Sequence, residues 1–134
     1  MTSKFLAASL IALVAAASAT AQSDKITLLD GTVVKDAQVV DYTVRSLRYK
    51  RSGSTESVDT DRVAKIDLAK FKKVYARGLD DGALMLTLSR EQLAAKEKVL
   101  AQLGFIGCAN RFFDQGEAQA AMDALNELQK AFPE

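Results

Sequence analysis

The chain has 134 residues and contains no histidine, no tryptophan, a single cysteine and a single proline. Histidine is a common catalytic base and a common metal ligand, so its absence removes many of the usual catalytic and metal-binding arrangements. The sequence also has neither a G-x-S-x-G motif nor a phosphate-binding glycine-rich loop. These absences favour a non-enzymatic protein, for which we expect no catalytic residue, no metal and no cofactor.

Two acidic pairs, Asp59 with Asp61 and Asp80 with Asp81, are candidates for catalytic carboxylates or for calcium ligands. A calcium loop needs more oxygen ligands at set spacings than either pair supplies. Short acidic side chains commonly accept backbone amides in turns and at helix starts. The sequence therefore predicts a turn at the first pair and a helix N-terminus at the second.

Cys108 cannot form an internal disulfide, because it is the only cysteine in the chain. Its small and apolar neighbours are typical of a thiol that packs in a helix as a small hydrophobe. A reactive thiol needs a nearby base, and histidine is absent. We therefore predict that Cys108 is buried and structural.

The first 21 residues have the pattern of a secretory signal peptide. Lys4 is the only charge before the apolar run 5–17, and Ala19-Thr20-Ala21 supplies small residues for cleavage. The run is shorter than the roughly 20 residues that a membrane-spanning helix needs. We predict cleavage after Ala21 and export to the periplasm, the cell envelope or the medium, with no stable membrane span in the mature chain.

Basic and acidic residues are balanced in the mature chain. Without Lys4, 17 residues of each sign remain. A nucleic-acid-binding domain is normally basic over its contact face, so a nucleic-acid partner is disfavoured. Two basic clusters stand out, and we interpret them as the solvated faces of a strand and of a helix. They are Arg45, Arg48, Lys50 and Arg51, and Lys70, Lys72, Lys73 and Arg77.

Residues 26–67 alternate apolar and polar side chains, with turn residues between the runs, which indicates an antiparallel sheet. The predicted strands are 26–29, 33–42, 45–51, 55–58 and 63–68, with hairpin turns at Asp30-Gly31 and Ser52-Gly53-Ser54. The expected inward side chains are Val33, Ala37, Val39, Val40, Leu47, Tyr49, Val63, Ile66 and Leu68. Short strands hide their edges best by closing on themselves, so we predict a small five-stranded antiparallel β-barrel.

The segments ITLLDGTVVKDAQVVDYT, LRYKRSG and DRVAKIDL resemble the small Sm-like barrels found near the start of exported bacterial proteins. The resemblance rests on the DG turn, the alternation and the final V-x-x-I strand. Cytoplasmic Sm-like proteins bind RNA, but their RNA-contact motifs are absent from this sequence. The resemblance therefore implies the fold and not RNA binding.

After Leu68 the apolar residues recur at steps of three and four, which predicts helices. The two series are Phe71, Val74, Tyr75, Gly78 and Leu79, and Leu93, Ala94, Val99, Leu100 and Leu103. Ser89 and Gln92 have the spacing of a capping box, which predicts a helix start at Ser89. We interpret the apolar stripes as helical core.

Residues 102–134 resemble one complete tetratricopeptide repeat. With Pro133 at the terminal proline of the repeat, its characteristic positions are occupied by Phe105, Cys108, Ala109, Phe112, Gly116, Ala121, Leu125 and Leu128. The resemblance implies that Gly116 ends the first helix and that Ala109 and Ala121 let the two helices approach closely. Three positions depart from the pattern, because Phe105 replaces the usual tryptophan, Cys108 a leucine, and Ala118 a common aromatic.

The segment VYARGLDDGAL, residues 74–84, aligns without gaps on FFDQGEAQAAM, residues 112–122, which suggests a degenerate first repeat over 69–101. The offset of 38 residues exceeds the spacing of about 34 in the standard repeat. Two repeats are fewer than a solenoid usually needs. We therefore expect the helices to pack on the barrel, to self-associate or to dock on a partner. Truncation of a longer repeat protein would also explain why only two repeats are present.

The sequence thus predicts an α+β protein, with a barrel over residues 22–68 followed by a helical region over 69–134. We expect a non-enzymatic exported protein that associates with a protein partner, or with itself, through tetratricopeptide-like helices. An alternative function is binding of an anionic ligand or nucleic acid by the barrel through Arg45, Arg48, Lys50 and Arg51. The two functions differ in salt dependence, because phosphate contacts release counterions and apolar docking does not.

Overall fold

A computed structural model describes residues 23–133, so the predicted signal peptide lies outside the described residues. Within them, six antiparallel strands precede three helices in an α+β fold. The strands are β1 (Asp24–Leu28), β2 (Val33–Tyr42), β3 (Ser46–Arg51), β4 (Ser54–Asp59), β5 (Val63–Leu68) and β6 (Lys73–Ala76). The helices are α1 (Asp81–Ala94), α2 (Lys98–Asp114) and α3 (Ala118–Ala131).

The sheet is open at both edges. Its strand order is β4-β3-β2-β1-β5-β6, and every neighbouring pair is antiparallel. The predicted closed five-stranded barrel is therefore wrong. Its closure would require β5 to pair with β4, but the second edge of β5 is already occupied by β6.

The strand β6 forms where the sequence predicted helix. Residues 69–71 make a single 3-10 turn, after which Lys72 takes a left-handed conformation with φ of 51°. The chain then extends along β5, with Tyr75 buried and Val74 exposed at the sheet edge. The helical interpretation of residues 71–79 is wrong, because its three- and four-residue spacings arise from a turn followed by a short strand. Residues 72–80 of the suggested degenerate repeat are therefore not helical.

A β-bulge in β2 decides which of its side chains face inward. Val34 pairs with Ile26 and Ala37 pairs with Asp24, so β2 has one more residue than β1 between these pairs. Val34 is consequently buried and Val33 is 43% exposed, which reverses the prediction for Val33. The inward prediction is confirmed for Ala37, Val39, Leu47, Tyr49, Val63, Ile66 and Leu68.

Both predicted hairpin turns are present. The Asp30 carboxylate accepts the Thr32 amide at 2.9 Å, and Gly31 has φ of 91°. Ser52 and Gly53 both have positive φ, at 52° and 80°, as a tight two-residue hairpin requires. The sequence could predict these turns because glycine adopts positive φ without steric cost.

The three helices pack in succession, beginning with α1 on the sheet. α1 contacts β2 and β6 on one side and α2 on the other, and α2 packs against α3. Inward side chains of the sheet, such as Leu47 and Ile66, share one core with Leu84 of α1 and Phe112 of α2. The sheet and the helices are therefore held by a common apolar interior.

Ser89 lies in the middle of α1 and not at its start. Its buried hydroxyl donates to the Met85 carbonyl at 2.6 Å, and Gln92 donates to the Val40 carbonyl of β2 at 2.9 Å. The predicted capping box is therefore wrong. The Ser89 hydroxyl bonds back within its own helix, and Gln92 ties the helix to the sheet.

Candidate protein-association surface

The residues assigned to the tetratricopeptide-like repeat lie on the hairpin of α2 and α3. Gly116 follows the end of α2 with φ of 77°, and the Glu117 amide donates to the Phe112 carbonyl at 2.8 Å. The repeat positions Phe105, Cys108, Ala109, Phe112 and Ala121 are buried, Leu125 and Leu128 are half-buried, and Pro133 is exposed. Gly116 thus stands at the turn between two helices, where the sequence placed it.

The exposed side of α2 is also apolar. Val99, Leu103, Ile106 and Phe113 are 68%, 62%, 45% and 47% exposed, respectively. Their spacings of four, three and seven residues place them on one face of the helix, which we call the α2 stripe. The prediction that Val99 and Leu103 belong to the core is wrong, because a different set of α2 residues is buried: Ala101, Phe105, Cys108, Ala109 and Phe112.

A groove between α2 and α3 borders the α2 stripe. It has a volume of about 360 Å³ and is lined by Gln102, Ile106, Leu125, Leu128, Gln129, Phe132 and Pro133. Ile106 belongs to both features, so the groove and the stripe form one continuous surface. Most of the side chains that this surface presents are apolar.

The two helices of the hairpin differ in how their apolar residues are distributed. In α3, the buried Ala121 and Ala124 lie on one side, and most of the exposed positions are polar or small. In α2, apolar residues occupy both the buried and the exposed side. A helix that is apolar on all sides is normally covered on all sides, and a contiguous exposed apolar patch marks a binding surface. The signal for this surface is therefore the excess of apolar residues in α2.

A buried polar cluster around Asp81 joins the sheet to the helices. The Asp81 carboxylate accepts the Tyr42 hydroxyl and the Gly78 amide, each at 2.8 Å. Arg111 Nη2 lies 3.3 Å from the other carboxylate oxygen. Burial, reinforced by the hydrogen bond to Asp81, raises the pKa of Tyr42. Both carboxylate oxygens have partners, so the cluster stabilises the junction and presents no free carboxylate.

The sequence predicted the position of Asp81 but not its partners. Asp80 and Asp81 stand at the N-terminus of α1, as expected. Asp80 accepts the Ala76 amide at 3.0 Å, so both carboxylates bind the chain that precedes the helix. The contacts of Asp81 with Tyr42 and Arg111 leave no local pattern, because the three residues are far apart in the sequence.

Cys108 is fully buried on the inner side of α2, as predicted. Burial, with the nearby Glu127 carboxylate, raises the pKa of the Cys108 thiol to about 11. The thiol therefore stays protonated near neutral pH, and only the thiolate is nucleophilic. This environment is that of a packing residue.

The first basic cluster is partly neutralised by acidic neighbours. Arg48 Nε lies 3.9 Å from the Asp41 carboxylate, and Arg51 Nε lies 3.1 Å from Glu56. Arg48 and Lys50 share the outer face of β3, because the residues that alternate with them point inward. Arg45 lies in the loop before β3. The structure thus brings Arg48 and Lys50 together but places acidic side chains beside the two arginines of the strand.

The second basic cluster does not lie on a helix. Lys70 contacts Glu91 of α1, and Arg77 Nη2 lies 2.8 Å from the Asp61 carboxylate. Lys73 stands 5.0 Å from the centre of the Tyr75 ring. The predicted helical face is wrong, because these residues occupy a turn, the edge strand β6 and the segment after it.

A second groove, of about 750 Å³, lies between β2, the β3–β4 hairpin and the end of α1. Asp24 lines it, and burial raises the pKa of this carboxyl, whose oxygens accept the Val39 and Ala69 amides at 2.9 and 3.0 Å. The rim carries both signs of charge: Asp36, Lys50, Arg51, Lys70, Glu91 and Glu97. This mixture gives the groove no preference for a ligand of one charge.

Comparison with protein-family models, curated proteins and solved structures finds no match for this chain. Among residues 23–133, no group of three or more histidine, cysteine or acidic side chains is placed to hold a metal ion. No helix in that part of the chain is both long enough and apolar enough to cross a membrane.

Proposed function

We propose that this chain is an exported, non-enzymatic protein that binds protein chains through the α2 stripe and the adjoining groove on α3. The α2 stripe carries the proposal, because its side chains are 45–68% exposed on a helix whose opposite side is already buried. Water contact with apolar side chains is unfavourable, and a partner that covers them removes this contact. Lys4, the apolar run 5–17 and Ala19-Thr20-Ala21 support export.

A helix is the partner element that suits this surface. The stripe extends along α2 from Val99 to Phe113, and the groove opens beside its middle, at Ile106. A docking helix presents anchors at steps of three, four and seven residues, which are the spacings of the stripe itself. Its anchors can therefore alternate with Val99, Leu103 and Ile106 and enter the groove beside Leu125.

Affinity capture from an envelope extract of the native host tests the proposal. The bait is the wild-type chain, the Ile106→Glu variant or the Val44→Glu variant. Val44 is 63% exposed in a loop of the sheet, so its replacement adds the same charge at an exposed apolar site away from the helices. We expect Ile106→Glu to lose the captured protein and Val44→Glu to retain it. Equal capture by the three baits would reject the proposal.

The same experiment addresses the alternative of an anionic ligand on the sheet. Capture through the α2 stripe should persist at raised salt and in a variant carrying both Arg48→Ala and Lys50→Ala. Binding through phosphate contacts would fall steeply with salt and with these two substitutions. If capture also remained unchanged in Ile106→Glu, the result would favour the alternative function, in which Arg45, Arg48, Lys50 and Arg51 bind the ligand.

A further inference from the structure

The two ends of the α2 stripe match each other when the helix is reversed about Ile106. Val99 and Phe113 lie equally far from Ile106 along the helix, and so do Gln102 and Asn110. A surface that pairs with its own copy across a two-fold axis must be self-complementary, because residue i contacts j and residue j contacts i. If two α2 helices pack antiparallel with the axis at Ile106, Val99 of one copy lies opposite Phe113 of the other. The apolar ends of the stripe then meet each other and amides meet amides, while Leu103 lies at the level of the buried Ala109 of the other copy.

One flank of the stripe, at the level of Ile106, leaves room for a second helix. A Cβ atom added at Gly107 would meet nothing within 4 Å, so the backbone beside Ile106 faces open space. Close approach of two helices is easiest where one of them lacks a side chain. A side chain from a second copy can therefore reach the α2 backbone next to the proposed axis.

The two ends of α2 carry opposite charge. Lys96 and Lys98 flank Glu97 at its N-terminus, and Asp114 and Glu117 lie at its C-terminus. The helix dipole is positive at the N-terminus and negative at the C-terminus, so lysines at the start and acidic residues at the end are unfavourable for α2 alone. Within residues 23–133, neither Lys98 nor Asp114 forms an ion pair that would offset this.

An antiparallel copy relieves the unfavourable charges at both ends. It brings the Lys96–Lys98 end of one α2 beside the Asp114–Glu117 end of the other, and it opposes the two helix dipoles. A parallel copy would place like charges together. The charges therefore select the antiparallel orientation, in which the apolar ends of the stripe also meet.

We infer that the occupant of the α2 stripe is a second copy of this chain, packed antiparallel through α2 about a two-fold axis at Ile106. The inference rests on the proposed function, since it names the partner of the same surface. A contact centred on one helix from each copy is small beside the roughly 1,200–2,000 Å² of a standard interface. The dimer should therefore dissociate on dilution.

Disulfide trapping of the purified full-length protein tests both the contact and its orientation. Ile106→Cys and Val99→Cys each add one exposed thiol to the stripe, while the native Cys108 is buried. In the antiparallel dimer the two thiols at position 106 meet at the axis, and those at position 99 lie at opposite ends. We expect a covalent dimer on mild oxidation of Ile106→Cys and none for Val99→Cys. Covalent dimers of both variants would indicate parallel packing and overturn the inference, as would no dimer of either.

A charge exchange tests the orientation without cysteine. Asp114→Lys and Lys98→Glu should each weaken dimerisation, because each places like charges at the meeting ends. The double variant should recover the wild-type association constant, since it restores opposite charges with their positions exchanged. Sedimentation equilibrium measures the three constants. Failure of the double variant to recover would contradict the antiparallel arrangement.

Sedimentation also separates the failure of this inference from that of the proposed function. We expect at least a tenfold weaker dimer for Ile106→Glu and an unchanged dimer for Val44→Glu. A wild-type chain that stays monomeric at all concentrations, yet captures another protein that Ile106→Glu loses, would overturn the second copy and keep the proposed function. A chain that neither dimerises nor loses a captured partner in Ile106→Glu would overturn both.

Discussion

The sheet and helix α2 use their apolar residues differently. In β3, the buried Leu47 and Tyr49 alternate with the outward Arg48 and Lys50, so apolar side chains face the core and polar ones face water. The exposed apolar residues of the sheet and its connections are scattered over turns, loops and edges: Leu29, Val33, Val44, Phe71, Val74 and Leu79. Single exposed apolar residues are ordinary in a folded protein.

α2 does not show this separation of apolar and polar faces anywhere along its length. Phe105 is completely buried, and the next residue, Ile106, is 45% exposed. The same helix therefore supplies core residues on one side and a row of apolar residues on the other. Most apolar residues of the strands are therefore buried in the core, whereas those of the α2 stripe form a continuous exposed row.

The largest expected effect is a loss of stability on the buried side of α2, which a substitution at the neighbouring exposed residue should not cause. Phe105→Ala removes a fully buried ring and should reduce the free energy of unfolding by about 3–5 kcal/mol. Ile106→Ala changes the exposed side, and the free energy should move by no more than about 0.5 kcal/mol. Urea denaturation of both variants measures this difference. Equal losses would mean that Ile106 belongs to the core.

The junction between the sheet and the helices should respond next. Asp81→Asn weakens the hydrogen bonds that a buried carboxylate accepts from Tyr42 and Gly78, and the expected loss is about 2–3 kcal/mol. Asp59→Asn is the matched control, because Asp59 is exposed before a turn. The control should change the free energy by less than about 0.5 kcal/mol. Comparable losses in the two variants would show that the Asp81 cluster does not stabilise the junction.

The contact between α2 and α3 gives a smaller effect. Ala121 is fully buried between these helices, so Ala121→Leu overpacks the site and should cost about 1–3 kcal/mol. Met122 is 48% exposed on the same helix, and Met122→Leu should leave the denaturation midpoint unchanged. A silent Ala121→Leu would indicate that the hairpin has room to open.

Much of the sheet could be predicted because its signals are local. Alternation gave the bounds of β2 and β5, and glycine with positive φ marked the hairpins. The inward phase of β2 could not be predicted at its start, because the bulge depends on pairing with β1. The strand β6 contains only four residues, too few for a period of two to show against the spacing of three from Phe71 to Val74.

The helical half illustrates a limit of apolar periodicity. Val99 and Leu103 have the spacing of a core stripe, and so does the set that includes Phe105 and Cys108. Only the position of α1 and α3 around α2 decides which set is buried. The Tyr42–Asp81–Arg111 cluster could not be predicted from the sequence either, since its three residues come from separate elements.

A pH-dependent effect concerns the buried side of α2. The folded Cys108 thiol keeps its proton up to about pH 11, whereas an unfolded thiol loses it near its ordinary pKa of 9.0. Between these values the unfolded state binds fewer protons, so the free energy of unfolding falls as pH rises. The raised pKa of Tyr42 acts in the same direction, and it is shared by wild type and by Cys108→Ala.

Comparison of the two proteins isolates the thiol. Urea denaturation from neutral pH to pH 11 should show a steeper alkaline loss for the wild type than for Cys108→Ala. In the native protein, Cys108 should resist thiol reagents until unfolding. Parallel pH profiles, or rapid labelling of the native thiol, would place Cys108 on the accessible side of α2.

The most direct test of the association surface is photo-crosslinking inside the native host. A photoreactive amino acid replaces Leu103 in one strain and Val44 in another, since the two residues are 62% and 63% exposed on the helices and on the sheet. We expect a protein adduct at position 103, of twice the chain's mass if the second copy is the partner, and no adduct at position 44. No adduct at position 103, or equal adducts at both positions, would contradict the claim that α2 is the association surface.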